Sequence, residues 1–281
     1  MKRKLAALIT CLMIFISQVM TTSYAGVYDG YVRDRASLNA DNVSEKNYKI
    51  FSPDLSEDTE VIETKKDLAD EAAKTYESVA IDEAHFPSEG FRNLVSENFD
   101  TDGDGTLSSD EIREAKIVNS EGDYEIDSLK GIEYLANLKK LNVYSDTLSE
   151  VNITKNPELQ ILSLSGDGAI TSIDTSRNAK LRVFNVTNSS LESVDLTKNP
   201  ELRIFTVPLT SLRSVDLRNN PYLKRCEVPG TQVKELDVTH NKRLQALNVE
   251  NTSVSKVDTS NNRDLYEFYF NNTPISSVDF S

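Results

Sequence analysis

The sequence of 281 residues contains no tryptophan, two cysteines and two histidines. Two cysteines cannot build the disulfide framework of a small stapled protein. The histidines are His85 and His240, and no H-E-x-x-H, G-x-S-x-G or phosphate-loop motif occurs. Because side chains suited to nucleophilic or metal-assisted catalysis are so scarce, we predict that the protein is not an enzyme. Composition alone leaves a paired-carboxylate hydrolase open.

Basic residues are also few, with 31 Lys and Arg against 45 Asp and Glu, a formal net charge of -14. This balance argues against nucleic-acid binding by phosphate neutralisation. The charge is unevenly spread: residues 1–25 carry three bases and no acid, residues 26–130 carry 27 acids and 11 bases, and residues 131–281 carry 18 acids and 17 bases. The acidity therefore lies in the first half of the chain, which indicates two regions with different roles.

Only one long apolar run occurs, from Leu5 to about Met20, after the basic start Lys2-Arg3-Lys4. Small residues at Ser23 and Ala25 complete a signal-peptide pattern over residues 1–25, with cleavage expected after Ala25. A retained anchor helix is the alternative, and the run is slightly short for a span of about 20 residues. We expect an exported protein, secreted or surface-associated, with no membrane span in the mature chain.

Residues 26–79 are polar and acidic, with eight acids between Asp54 and Glu71. Such a segment buries too little apolar surface to offset its ordering entropy, so it is predicted to be a disordered tether. A solvated spacer is the simpler interpretation, and an interaction tail is the alternative.

Residues 100–111 fit the EF-hand calcium loop. Loop positions 1, 3 and 5 are aspartates, position 6 is glycine, position 7 offers a carbonyl, position 9 can act through water and position 12 is a glutamate. The predicted Ca²⁺ ligands are Asp100, Asp102, Asp104, Thr106 and Glu111, with Ser108 acting through a water.

The residues flanking this loop support the same interpretation. Phe91, Val95 and Phe99 recur every four residues, which predicts one apolar stripe on an entering helix, and Ile112 and Ala115 begin a short exit helix. EF-hands usually pair through their loops, but the sequence holds only one. We therefore expect the adjoining repeats to cover Leu107 and this stripe, in a calcium-binding cap over residues 80–130.

Residues 131–281 are a tandem repeat. The pattern L-x-x-L-x-V begins at Leu138, Leu159, Leu181, Leu202, Leu223, Leu244 and Leu265, so that seven units follow one another at steps of 21 or 22 residues. A second apolar triplet lies between successive patterns, and Asn-Pro or a related turn ends most units. This period predicts a leucine-rich-repeat solenoid of short parallel β-strands with little helix. Both triplets are predicted to be strands.

The repeats resemble the short leucine-rich repeats of exported Gram-positive bacterial proteins, including the internalin-like group. The segments Ile81–Pro87 and Leu129–Leu135, together with the calcium loop, resemble the EF-hand-containing leader of clostridial repeat proteins. This resemblance covers about residues 81–281. It implies a non-catalytic recognition protein at the cell surface or outside the cell, and it names no ligand.

The outward positions of the repeats are the candidate ligand face. The second position of the pattern is rich in basic and aromatic residues, and the fifth includes Tyr269. The candidate residues are Lys139, Arg182, Arg203, Lys224, Tyr266 and Tyr269. These columns either recognise a ligand or only keep the solenoid soluble. A column of aspartates runs from Asp174 to Asp279 at 21-residue steps, and we expect it to serve solubility and to cap turn amides. Cys226 is predicted to be a buried thiol.

These observations predict a secreted recognition protein whose repeat sheet binds a protein or glycan and whose EF-hand binds one structural Ca²⁺. The alternative is a calcium-dependent assembly module whose EF-hand region docks a partner. The single loop and its full ligand set speak against that alternative.

Overall fold

A computed structural model describes residues 60–61, 64, 74–120, 124–166 and 168–278. The predicted signal peptide and most of the predicted tether lie outside the described residues, as does Asp279. No helix in the described part of the chain is both long and apolar enough to cross a membrane.

The chain begins its regular structure with a small helical cap. Strand β1 (Val79–Ala80) is followed by helix α1 (Glu89–Phe99), strand β2 (Thr106–Leu107) and helix α2 (Ser109–Glu114). The predicted apolar stripe of α1 is confirmed, since Phe91, Val95 and Phe99 are buried, and Leu94 is buried beside them. Each helix has a serine N-cap, Ser88 in α1 and Ser108 in α2, which accepts a backbone N–H of the first turn.

Strand β2 of the calcium loop pairs with β1, antiparallel, with Val79 opposite Leu107. A further bond, from the amide of Ile81 to the carbonyl of Gly105, is 2.9 Å long. If the predicted EF-hand interpretation holds, β1 occupies the position at which a second loop usually pairs. The expected cover by the repeats is therefore supplemented: β1 also pairs with this loop, and Leu107 is fully buried in the cluster that it shares with the repeat leucines.

The repeats form one parallel sheet in which strand order follows chain order. Its strands are β3 (Ile117–Asn119), β4 (Lys140–Tyr144), β5 (Ile161–Ser165), β6 (Val183–Val186), β7 (Ile204–Thr206), β8 (Arg225–Glu227), β9 (Ala246–Asn248) and β10 (Glu267–Tyr269). The seven predicted units supply β4 to β10. Strand β3 lies within the predicted cap, after α2, and pairs with β4, so the cap is joined to the sheet by backbone hydrogen bonds.

The second apolar triplet of each unit is not a strand, which corrects the sequence prediction. In the described residues this side of the solenoid shows only isolated bridges, Ser172 with Ser193 and Ser189 with Thr210. The triplets still bury their apolar side chains, for example Leu191, Leu196 and Leu212. Burial is what the apolar spacing predicts, and it does not require strand pairing on both sides of a 21-residue turn.

One hydrophobic core runs from the cap through the repeats. A single cluster of buried side chains extends from Val79 to Phe268. The first, fourth and sixth positions of the repeat pattern contribute to this cluster in every unit, beginning with Leu138. Within it, Phe184 stacks on Phe205 with ring centroids 5.7 Å apart. Cys226 is fully buried, as predicted, and burial raises the pKa of its thiol. The cap and the solenoid therefore share one folding unit.

The junction between cap and repeats is close-packed at Gly131, which ends the loop before a 3₁₀ helix (Ile132–Tyr134). Its φ is +104°, and an added Cβ would lie 2.4 Å from the Phe86 ring and 2.7 Å from the His85 carbonyl oxygen. The Phe86 ring in turn contacts the rings of Phe91 and Tyr134. Only glycine fits this position.

A column of buried asparagines ties each unit to the one before it. The side-chain amide of each donates to two backbone carbonyls of the preceding turn at 2.7–3.1 Å; the column is Asn156, Asn178, Asn199, Asn220, Asn241 and Asn262. Each of these side chains is fully buried. The sequence indicated only turns at these sites. Their fixed 21- or 22-residue spacing was the signal for a structural role.

Candidate functional site

The calcium loop brings three of its predicted ligands together. Carboxylate oxygens of Asp100, Asp102 and Asp104 lie within 4.8 Å of one another. The loop folds around them: Asp100 accepts the amides of Gly103 at 2.8 Å and Gly105 at 3.0 Å. Both glycines have positive φ, +72° and +81°. This backbone conformation aims the aspartates at one point, and hard oxygen ligands of this kind suit Ca²⁺.

Glu111, Thr106 and Ser108 are placed differently. The carboxylate of Glu111 is buried and does not join the three aspartates. One of its oxygens accepts from the amide and hydroxyl of Thr101 at 2.6 and 2.7 Å, and the other from the amide and hydroxyl of Ser108 at 2.9 Å. The amide of Ser108, followed by the hydroxyl of Thr101, lowers the pKa of Glu111 to about 2. Glu111 is therefore ionised at neutral pH and lies at the edge of the loop.

Thr106 donates its amide and its hydroxyl to Asp104, at 2.7 and 2.6 Å. Ser108 serves as the N-cap of α2 and forms a capping box with Glu111. The residues fit a calcium ion to this extent: three aspartates converge, and the charged position-12 glutamate is bonded to Thr101, which lies between the first two of them in the sequence. A bound ion would supply positive charge that offsets the repulsion of these carboxylates.

The candidate ligand face of the repeats is only partly open. Arg203, Lys224, Tyr266 and Tyr269 are half-buried, whereas Lys139 and Arg182 are 1% and 2% exposed. The prediction that the second pattern position faces solvent is wrong for the latter two. The strands begin at the third position, so the alternation of side chains does not extend to the second.

The sequence reasoning missed the third pattern position. It precedes an inward leucine, so it must share the outward face with the fifth position. On β5, β6 and β7 this row is apolar, with Ile161, Val183 and Ile204. The alternation of side chains along each strand would have identified this row from the sequence.

At β8 and β10 the same row is charged. Arg225 bonds Glu227 in its own strand and lies 3.4 Å from Glu267, two strands away. Glu267 is 1% exposed, and burial raises the pKa of its carboxyl. Burial likewise raises the pKa of Tyr266 to about 12. The outward face therefore has an apolar part on β5–β7 and a charged, aromatic part towards β10.

The aspartate column has the structural role that was expected of it. Each carboxylate accepts the amide two residues ahead at 2.9–3.0 Å; these are Asp174, Asp195, Asp216, Asp237 and Asp258. In the first unit Asn152 makes the same bond to Thr154, at 3.2 Å. An asparagine suffices at this position, so the column shapes turns rather than forming a binding site.

No family model and no curated protein matches this sequence. Among solved structures, the chain is similar to internalin C2 from Listeria monocytogenes, with TM-score 0.65 and 16% identity over 73% of this chain and 93% of that one. It is also similar to InlP from the same organism, with TM-score 0.54 and 17% identity over 68% and 59%. A weaker likeness, to the functional domain of InlJ, has TM-score 0.46 and 18% identity over 73% and 55%.

The chain thus spans 55% of the solved functional domain of InlJ and 59% of the solved InlP chain. At these identities the likeness shows the fold alone: a parallel leucine-rich-repeat solenoid of about seven turns with little helix, of the kind found in internalins.

Proposed function

We propose that this protein is an exported recognition protein whose outward sheet face binds a protein ligand. One observation carries the proposal: the parallel strands lie side by side in register, so that the same pattern positions form continuous rows of side chains on one face. Such a face suits a macromolecular ligand. The internalin-like fold supports this choice, and an apolar row beside basic and aromatic residues favours a protein over a glycan.

The first experiment is a screen of extracellular proteins and glycans with the chain from Gly26 onward, followed by affinity measurements on the hits. Thr206→Arg places a long charged side chain at the outward position of β7. Ser214→Arg makes the same change at an exposed position outside the strands. We expect Thr206→Arg to weaken binding at least tenfold and Ser214→Arg to leave it unchanged. A screen without any protein hit, or equal affinities for the two variants, would overturn the proposal.

We further propose that the loop of residues 100–111 binds one Ca²⁺ as a structural ion. Asp100, Asp102 and Asp104 would hold it, with Glu111 and the Thr106 carbonyl completing the oxygen set. The ion would fix the angle between α1 and α2. Because α2 leads directly into β3, and β3 pairs with the first repeat strand, a rigid cap would stabilise the start of the solenoid. This continuity favours a cap over a separate docking module.

The test of the calcium proposal is thermal unfolding with and without millimolar Ca²⁺. The chain from Gly26 onward should be stabilised by Ca²⁺, and Asp100→Asn with Glu111→Gln should lose that stabilisation. The matched control, Asp110→Asn with Glu114→Gln, removes the same charge at exposed positions of α2 and should retain it. If the original chain gains no stability from Ca²⁺, the loop does not act as proposed.

A further inference from the structure

The apolar row on the outward face is buried by something other than the core. Ile161, Val183 and Ile204 are 3%, 5% and 6% exposed and form a cluster separate from the main core. Among the described residues, the partly buried hydrophobic side chain packed against this cluster is Val61, which lies 100 residues before Ile161 in the sequence. The predicted tether therefore reaches the outward face of β5–β7 at this point.

A backbone contact fixes the neighbouring residue. One guanidinium nitrogen of Arg182, Nη1, donates to the carbonyl oxygen of Glu60 at 2.8 Å. Arg182 stands on the same outward side, directly before Val183, and is 2% exposed. The Arg182 side chain therefore holds the main chain of this segment next to the point where Val61 packs on the apolar row. This contact contributes to the burial of Arg182.

The chemistry of the two partners is complementary. Val61 and Ile62 form an aliphatic pair between Glu60 and Glu63, and eight acids lie between Asp54 and Glu71. The face offers an aliphatic row, and beside it the second pattern position carries Arg182, Arg203 and Lys224 on successive units. An aliphatic pair with acidic neighbours therefore suits this part of the sheet by both hydrophobic burial and charge.

We propose that the outward face of β5–β7 is a binding site for short acidic peptides with an aliphatic centre, and that the segment containing Glu60 and Val61 is its intramolecular occupant. An external partner must displace this segment. The inference rests on the proposed function, which it narrows to a partner class and to one part of the face.

The segment can compete effectively because the chain just after it, at Lys74, is held against the cap and the repeats. Arg113 of α2 donates to the carbonyl of Lys74 at 3.0 Å, and the Lys74 ammonium lies 3.5 Å from Glu158. Only 12 residues separate Val61 from Lys74 in the sequence. A segment attached this closely competes at an effective concentration on the order of 1 mM. If the segment and the free peptide each bind with a dissociation constant of about 0.1 mM, the peptide should bind roughly tenfold more weakly while the segment is in place.

The experiment uses a fluorescent peptide with the sequence of residues 54–68 and the chain from Gly26 onward. Its binding is followed by fluorescence anisotropy. Val61→Asp places a charge on the aliphatic row and should release the segment, so this variant should bind the peptide about tenfold more tightly than the original chain. Val43→Asp makes the same substitution elsewhere in the predicted tether and should bind like the original. Equal affinities for the two variants, or no binding to either, would overturn the proposal.

Two further arms locate the peptide and test its chemistry. Adding Ile204→Glu to Val61→Asp should abolish peptide binding. If that protein does not fold, as judged by its melting temperature, the milder Ile204→Thr should weaken binding severalfold. A scrambled peptide that separates Val61 from Ile62 keeps the charge and should bind at least fivefold more weakly. Equal binding of the scrambled peptide would contradict the aliphatic part of the proposal.

The outcome is separable from that of the proposed function. If the screen identifies a protein ligand sensitive to Thr206→Arg while the peptide does not bind the Val61→Asp chain, the recognition role stands and the intramolecular occupant is refuted. If the peptide binds as expected and the screen finds no protein, the occupied face stands and the external recognition role is refuted.

Discussion

The buried asparagine column should account for a large part of the stability of the solenoid, and Asn220 is the clearest place to test it. Its side-chain nitrogen donates to the carbonyls of Leu196 and Asn199, at 3.1 and 2.8 Å. The residue is fully buried. The neighbouring Asn219 is exposed and makes one long contact of 3.5 Å to the Thr197 carbonyl. Two adjacent residues of one type thus differ only in burial and bonding.

The expected magnitude follows from these bonds. Asn220→Ala removes two buried hydrogen bonds, and each contributes about 0.5–1.5 kcal/mol net. Both carbonyl oxygens keep a backbone donor, because Leu196 also accepts from the amide of Asn199 and Asn199 from the amide of Leu202, each at 3.1 Å. We therefore expect the free energy of unfolding to fall by about 1–3 kcal/mol. Asn219→Ala should change it by less than about 0.5 kcal/mol, as exposed substitutions usually do.

Asn220→Asp separates hydrogen bonding from shape, because aspartate has nearly the same size and an ionised carboxylate donates no hydrogen bond. It would bury a charge against two carbonyl oxygens, so it should destabilise the protein more than Asn220→Ala does. All three variants are compared by urea unfolding at neutral pH. Equal losses for Asn219→Ala and Asn220→Ala, or an Asn220→Asp protein as stable as the original, would refute the account.

Three further predictions use the same unfolding measurement. Leu209 has a φ of +56°, and the equivalent residues of five of the six other units are Gly or Asn. Leu209→Asn should therefore raise the free energy of unfolding by about 0.5–1 kcal/mol, and Asn188→Leu should lower it by at least as much. A loss for Leu209→Asn or a gain for Asn188→Leu would contradict the strain argument. Gly131→Ala should cost about 2–4 kcal/mol through its φ and its contact with Phe86, and a cost below about 1 kcal/mol would show that the junction can relax. Hydrogen bonds from the side chain of Arg218, and then from its amide, lower the pKa of Asp216 to about 2. Because this folded-state pKa lies below the unfolded value, the ionised carboxylate stabilises the fold above about pH 4. That stabilisation is lost as the pH falls towards about 2. Asp216→Asn should flatten that acid dependence, and an unchanged pH profile would refute the role of this turn.

The sequence predicted the repeat register because apolar spacing follows directly from burial. Each leucine that opens a unit is buried where the pattern places it, and the stripe of α1 is buried as its spacing required. The three aspartates of the calcium loop also come together as the motif implies. The second triplet was misassigned as a strand because apolar spacing reports burial and does not report which backbone groups pair.

The period of the solenoid and the convergence of the three loop aspartates could be predicted from the amino-acid sequence, because both depend on residues near one another in the chain. Contacts between residues distant in the chain depend on the folded structure: β1 pairs with β2, β3 joins the cap to the sheet, and Val61 packs on the apolar row of β5–β7. A polar tether segment has no periodicity that would predict such a contact. Its docking depends on an apolar row that exists only once β5, β6 and β7 stand side by side, since each strand supplies one side chain to it.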